Sequence, residues 1–166
     1  DKCLNWLDER DDSKPFFLMC HHKAPHRSWE PKPEHRSLYL DHIPEPETID
    51  DDYRNRAEAA EAAHMRVAEH MTYEDLDLVQ LPEDRGHTIW ANVREVPFPE
   101  DGEYDDFYLR CMLTGEKFTF KNRAELKAFK YQRYMRKYLQ CVHSIDENVG
   151  RMLDYLDEKG LADNTV

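Results

Sequence analysis

The sequence predicts an α/β fold, part of a parallel sheet and rich in helix over the span present. Two observations carry this expectation. The run "PFFLMC" at residues 15–20 is short and continuously apolar, as a strand covered on both faces by a parallel-sheet fold reads. Tyr134, Tyr138, Cys141, Val142, Ile145, Val149, Met152, Leu153 and Leu156 recur at three- and four-residue steps, which is one face of a long helix. Helix, buried strand, loop region, long helix and the entrance of a further strand make the rhythm of an α/β sheet with a large insertion.

Each element has its own signal. "DKCLNWLDER" places Cys3, Leu4, Trp6 and Leu7 among charges, an amphipathic helix that Ser13-Lys14-Pro15 ends. Pro25, Pro31 and Pro33 make residues 21–34 an irregular loop. "DHIPEPETIDDDYRN" is a second loop. Its Asp50, Asp51 and Asp52 lack the alternating spacing and glycine of an EF-hand loop and read as acids before a helix N-terminus. Residues 57–71 have high helix propensity throughout, and His64 and His70, six apart, fall on different faces and make a poor metal pair. Residues 72–121 alternate short apolar pieces such as "TIWANV" and "DFYLRCML" with Pro, Gly and acid, an insertion or excursion of small strands. There, "TGEKFTF" reads as a hairpin turn followed by an alternating edge strand. The long helix starts near Asn122 and stops at Gly160. Asp146 beside its stripe reads as a helix-edge carboxylate. A chain that opens inside a helix without Met and closes at a strand entrance reads as an internal fragment of a larger domain, 1–166 throughout.

Composition excludes several classes. The formal net charge is -12 with 35% charged residues, so no basic stripe is available to release phosphate counterions and nucleic acid is not an expected partner. No apolar run approaches the roughly 20 residues of a membrane span. Five glycines leave little room for phosphate-loop chemistry. Cys3, Cys20, Cys111 and Cys141 show no zinc-finger spacing; Cys20 and Cys141 lie in apolar patterns and are expected as buried free thiols.

Against that acidic background, "HHKAPHRSWEP" concentrates His21, His22, Lys23, His26 and Arg27 directly after the predicted strand. Ligands of open α/β sheets bind beyond the carboxyl ends of strands, and the flanking prolines stiffen the segment presenting His26. Three readings compete: a metal, an anion, or a solvated loop with incidental bases. His22 and His26 have ligand spacing only on a helix, which Pro25 disfavours; Lys23 would repel a cation and no carboxylate lies within the cluster. An anion, by contrast, finds a point charge, a proton-carrying imidazole and a bidentate fork, and a histidine can protonate a leaving-group oxygen.

These residues also carry a family likeness. The "PFFL" strand running into the His26 loop resembles the segment of type I, formylglycine-dependent sulfatases that bears a sulfate-binding histidine. "KAPH" with Trp29 three residues on is most similar to the branch containing N-acetylglucosamine-6-sulfatases and bacterial glycosaminoglycan sulfatases. "YLQCVHSIDENVGRMLDYLDEKGLADNTV" is similar to that family's long helix and the turn into its metal-binding strand, and "IPEPETIDDDY" to the loop after its histidine. The likeness covers residues 1–71 and 122–166. It implies an alkaline-phosphatase-like fold, a sulfuric ester hydrolase acting on a sulfated sugar or glycan, calcium and formylglycine as cofactors, and a periplasmic or secreted location. It also implies that His26 contacts sulfate or protonates the leaving alcohol, with Lys23 as supporting charge and His22, Arg27 and Trp29 shaping the sugar pocket. The nucleophile's C/S-x-P-x-R motif follows none of the four cysteines, and the metal ligands would come from outside this span, so the fragment alone is expected to be inactive. A helical protein-interaction module and a phosphoesterase of the same superfamily are the alternatives.

One strand and one long helix leave apolar faces uncovered. The span in isolation is expected to associate with another copy or with the rest of its chain; sedimentation checks this, and a compact, stable monomer is the contrary outcome.

Overall fold

The computed structural model describes residues 1–63, 66–79, 104–105 and 107–166. Its elements are α1 (Lys2–Glu9), α2 (Glu58–Ala62), α3 (Val67–His70), β1 (Leu78–Val79), β2 (Tyr108–Cys111), β3 (Lys117–Thr119) and α4 (Arg123–Glu158), with short 3-10 turns at Pro33–Ser37, Glu74–Leu76 and Ala162–Asn164.

The 36-residue helix α4, about 54 Å long at 1.5 Å per residue, is the spine. Both its ends are built from local sequence. Asn122 Oδ1 accepts the Glu125 N–H at 3.0 Å, and Glu125 Oε2 accepts the Lys121 N–H at 2.9 Å, so two donors that the helix start leaves without intrahelical partners are satisfied. At the other end Gly160 adopts φ +64, a conformation that only glycine takes without steric cost. The Gly160 N–H then reaches Asp157 O and the Leu161 N–H reaches Leu156 O, a Schellman stop.

The strands form an antiparallel sheet in the order β1-β2-β3, with Leu78 opposite Cys111 and Leu109 opposite Phe118. Leu76, Leu78 and Leu109 are fully buried, and with Tyr73, Tyr104, Phe107 and Phe120 they pack on Leu126 and Cys141 of α4. An interior ion pair ties the sheet to the helix: Lys137 Nζ donates to Asp77 Oδ2, both side chains about nine-tenths buried. Asp77 has φ 54, and its carbonyl accepts the Met112 N–H.

Between α1 and α2 the chain runs as an irregular strap along α4, and helix side chains answer its backbone. Gln132 accepts the Ile43 N–H through Oε1 at 3.0 Å and donates to Ile43 O through Nε2 at 2.6 Å. Gln140 donates to Arg36 O and Leu38 O, Arg136 to Tyr39 O and Leu40 O, and Tyr131 to Pro44 O.

Several expectations hold: α1, the capped α4 and the hairpin at "TGEKFTF", whose turn Gly115 has φ +73. Others need correction. "PFFLMC" is not paired as a strand; residues 15–22 make no backbone hydrogen bond with any described residue, and Phe17 and Met19 are 83% and 64% exposed. An extended segment becomes a strand only beside another, and no described strand lies next to it. Cys20 is accordingly exposed rather than buried, while Cys141 is buried as expected. The predicted helix 57–71 is two short pieces, because Ala63 and Arg66 are extended at ψ 125 and 137. The last residues form a 3-10 turn, Ala162–Asn164, followed by Thr165 in extended backbone. The sheet that is described is antiparallel and lies within 72–121. "TIWANV" and His64 lie outside the described residues.

Lys130 is 2% exposed, donates to Ala68 O and lies 5.2 Å from the Tyr73 ring centre. Burial pushes its ammonium down to about 8 from the ordinary 10.5. The folded state therefore holds fewer protons than the unfolded chain between those values, so this penalty is full below about pH 8 and relieved as pH rises. Stability should climb between about pH 8 and 9.5 with a slope of up to about 1.4 kcal/mol per pH unit from this group. Urea denaturation of the parent and Lys130→Met across that range checks it: the variant should lose the slope.

Candidate active site

The basic loop is a tight turn held from below. The His26 N–H donates to Lys23 O at 3.0 Å, closing residues 23–26. Three residues further on, Trp29 is 8% exposed, its indole N–H donates to Pro25 O at 2.9 Å, and its ring lies 4.7 Å from Tyr134 of α4. A large buried aromatic whose polar N–H is spent inside the loop fixes the turn above it. The strap continues the anchoring: His35 Nδ1 lies 2.7 Å from Ser144 Oγ and Lys32 Nζ 3.0 Å from Glu147 Oε2.

On this base His21, His22, Lys23, His26 and Arg27 are all exposed on one short stretch. His26 Nδ1 donates to its neighbour's carbonyl, Arg27 O. A carbonyl can only accept, so Nδ1 carries a hydrogen and Nε2 is left outward, as acceptor when neutral and as a second donor when protonated. Arg27 is turned aside: its guanidinium donates to Asp75 Oδ2 at 3.1 Å, pairing one loop charge with an acid from the 3-10 turn before β1. No described residue hydrogen-bonds the side chains of His21, His22 or Lys23. The stretch thus offers an imidazole of defined tautomer, a free ammonium and a second imidazole, with solvent above them. Such a surface suits a tetrahedral oxyanion.

Of the residues singled out in the sequence, His22, Lys23 and His26 share that exposed turn. Arg27 sits beside them with a protein partner. Trp29 is buried, with its ring against Tyr134 and its indole N–H on Pro25 O. Sequence reasoning passed over Asp75, 48 positions from Arg27, and the contact of Tyr134 with Trp29; the helical stripe marked Tyr134 as inward-facing but not which segment it meets.

The same residues fit neither calcium nor the formylglycine nucleophile. The turn is cationic and has no carboxylate of its own. Asp50, Asp51 and Asp52 are each taken by a base, Lys127, Arg56 and Arg54 in turn. Cys111 and Cys141 are buried, and no cysteine precedes Pro and Arg in the required motif. No described helix is long and apolar enough to cross a membrane.

A cationic, histidine-bearing turn is thus seated on a long helix. The chain belongs to the sulfatase family: the family model described as Sulfatase matches residues 1–166. It is 38% identical, over 172 aligned positions and all of this chain, to the N-acetylglucosamine-6-O-sulfatase of Bacteroides thetaiotaomicron, of which it covers 30%. It also superposes with TM-score 0.71 and 32% identity on a solved structure of a protein in complex with its substrate D-glucosamine-2-N,6-O-disulfate, over 99% of this chain and 34% of that one. The chain therefore spans about a third of the length of these relatives, and its fold is part of an alkaline-phosphatase-like α/β domain.

Removing the anchor tests its role. Trp29→Ala should cost about 3–5 kcal/mol in chemical denaturation, whereas Trp29→Phe, which keeps a ring against Tyr134 and loses one hydrogen bond, should cost about 0.5–1.5 kcal/mol. A Trp29→Ala protein of parental stability would contradict the anchoring role.

Proposed function

We propose that the intact protein carrying this chain hydrolyses the sulfate ester of a sulfated glucosamine unit, and that the 22–27 turn forms part of its sulfate pocket. The observation that supports this most directly is the outward Nε2 of His26, whose tautomer a backbone carbonyl sets, beside the free ammonium of Lys23. The relatives support the substrate class: one is named as an N-acetylglucosamine-6-O-sulfatase and another is solved with a disulfated glucosamine.

In this reading His26 donates from Nε2 to a sulfate oxygen or to the departing alcohol oxygen. Its Nδ1–H, already hydrogen-bonded to Arg27 O, helps stabilise the imidazolium that such donation requires. Lys23 adds a mobile positive charge against the ester's negative charge. His22 lies at the sugar side, and Arg27 shapes that edge while Asp75 restrains it. Trp29 acts as a positioning residue, holding the turn to α4. Formylglycine and calcium, which sulfatases generally use, would be supplied by residues outside this span. The remainder of the protein would also cover Phe17, Met19, Val149 and Leu153, all substantially exposed here. A periplasmic or secreted location accords with the family likeness.

In the intact protein, His26→Ala should lower kcat by on the order of 10² to 10⁴ on a 6-O-sulfated glucosamine, with Lys23→Met losing less. Turnover by His26→Ala within a few-fold of the parent sinks the assignment. Steady-state rates on matched aryl sulfate and aryl phosphate separate the sulfatase from the phosphoesterase reading, the sulfate being the faster substrate here.

A further inference from the structure

We propose a metal site in this chain, a surface zinc site formed by His35, His143 and Glu147. It is separate from the calcium that the family likeness implies, and it does not depend on the proposed reaction. His35 comes from the 3-10 turn Pro33–Ser37 of the strap. His143 and Glu147 stand four apart on α4, the spacing that puts two ligands on one helix face. One ligand atom from each of the three lies within 4.8 Å of the others. His35 Nε2 is 2.9 Å and His143 Nε2 3.8 Å from the same oxygen, Glu147 Oε1. Tetrahedral zinc with ligands at 2.0–2.2 Å spaces those atoms about 3.3–3.5 Å apart, so the observed set brackets the required geometry. The adjustment falls mainly on His143, whose side chain is 37% exposed.

Hydrogen bonding around the three residues leaves lone pairs pointing inward. Ser144 Oγ lies 3.1 Å from Gln140 O and 2.7 Å from His35 Nδ1; donating to Gln140 O, it accepts from Nδ1–H, the tautomer that frees Nε2 as a ligand. Nε2 then presents a lone pair to a carboxylate oxygen 2.9 Å away. In that tautomer the two acceptors hold a cation between them, either a proton or a metal ion. A proton would need only this pair, yet a second imidazole nitrogen converges on the same oxygen. Each ligand also has a partner behind it: Ser144 for His35, the Tyr39 hydroxyl at 3.3 Å from His143 Nδ1, and Lys32 at 3.0 Å from the other Glu147 oxygen. Partners of this kind orient metal ligands. Two imidazoles and a carboxylate suit zinc, whereas calcium and magnesium prefer oxygen throughout; water would take the fourth position. Lys32 is a cation near the site, but it is 40% exposed and bonds the far oxygen, so its charge weakens binding without occupying a ligand position. The bound ion would clamp the strap to α4 immediately after the His26 turn.

The test is calorimetric titration of the intact protein with zinc chloride in saturating calcium. The parent should bind one equivalent, His143→Gln should lose affinity by on the order of 100-fold or more, and Ser144→Ala, which removes only a supporting partner, by about tenfold. Lys32→Met should bind more tightly than the parent. A parent that takes up no zinc overturns the proposal, and so does a His143→Gln variant that binds as the parent does. Because His143 is partly exposed, that variant is expected to fold, and circular dichroism of the protein used confirms it.

Discussion

The structure depends on finding partners for the backbone of a long segment that forms neither helix nor sheet. Buried or half-buried carbonyls and amides must be hydrogen-bonded, and residues 30–53 have few regular neighbours to supply those bonds. The long helix supplies them with side chains. Tyr131, Gln132, Arg136 and Gln140 reach successive carbonyls of the strap, and Arg133 does the same for Leu76. The spacing of these donors, one to four residues apart, keeps them on the faces of α4 next to the strap and the 3-10 turn, while Leu126 and Cys141 face the hydrophobic core. Helix α4 therefore packs with its apolar residues and hydrogen-bonds with its polar ones. The placement of the His26 turn follows from both, since Trp29 meets Tyr134 on the apolar side and His35 meets Ser144 on the polar one.

This division also explains what could be read in the sequence. The apolar repeat and the Asn122 and Gly160 signals are local, so α4 was legible to within a residue at each end. The hairpin was legible for the same reason, through a glycine whose positive φ the turn requires. "PFFLMC" carried an honest strand signature, but strand formation is a property of pairs, and no described segment lies beside it. The helix over 57–71 failed because propensity sums over a window, whereas Ala63 and Arg66 adopt extended backbone set by their surroundings. In the basic loop, residue types and prolines single out His26 and Lys23 as candidates. The inward Trp29, the Asp75 partner of Arg27 and the His35 contacts with α4 are long-range, and nothing in one sequence announces a contact 48 or 109 positions away.

Electrostatics at the turn are a local reversal within an acidic chain. With a net charge of -12, the average surface repels anions, and only a concentrated cationic spot can receive one. Many of the other described bases are occupied: Arg56, Lys127, Arg123, Lys137, Arg151 and Lys159 each pair with an acid. Lys23 and the exposed imidazoles next to it are left to face solvent.

The Gln132 clamp acts as a filter on sequence change. Its amide reads both polar groups of Ile43, accepting with oxygen and donating with nitrogen, as a neighbouring strand would. Glutamate, of the same shape, would set an acceptor against the Ile43 carbonyl; lysine or arginine would leave the Ile43 N–H unanswered. Gln140, which only donates, imposes no such rule and could give way to another donor. Two glutamines eight residues apart on one helix thus differ in how much variation they permit, and the difference comes from the number of partners each side chain must satisfy.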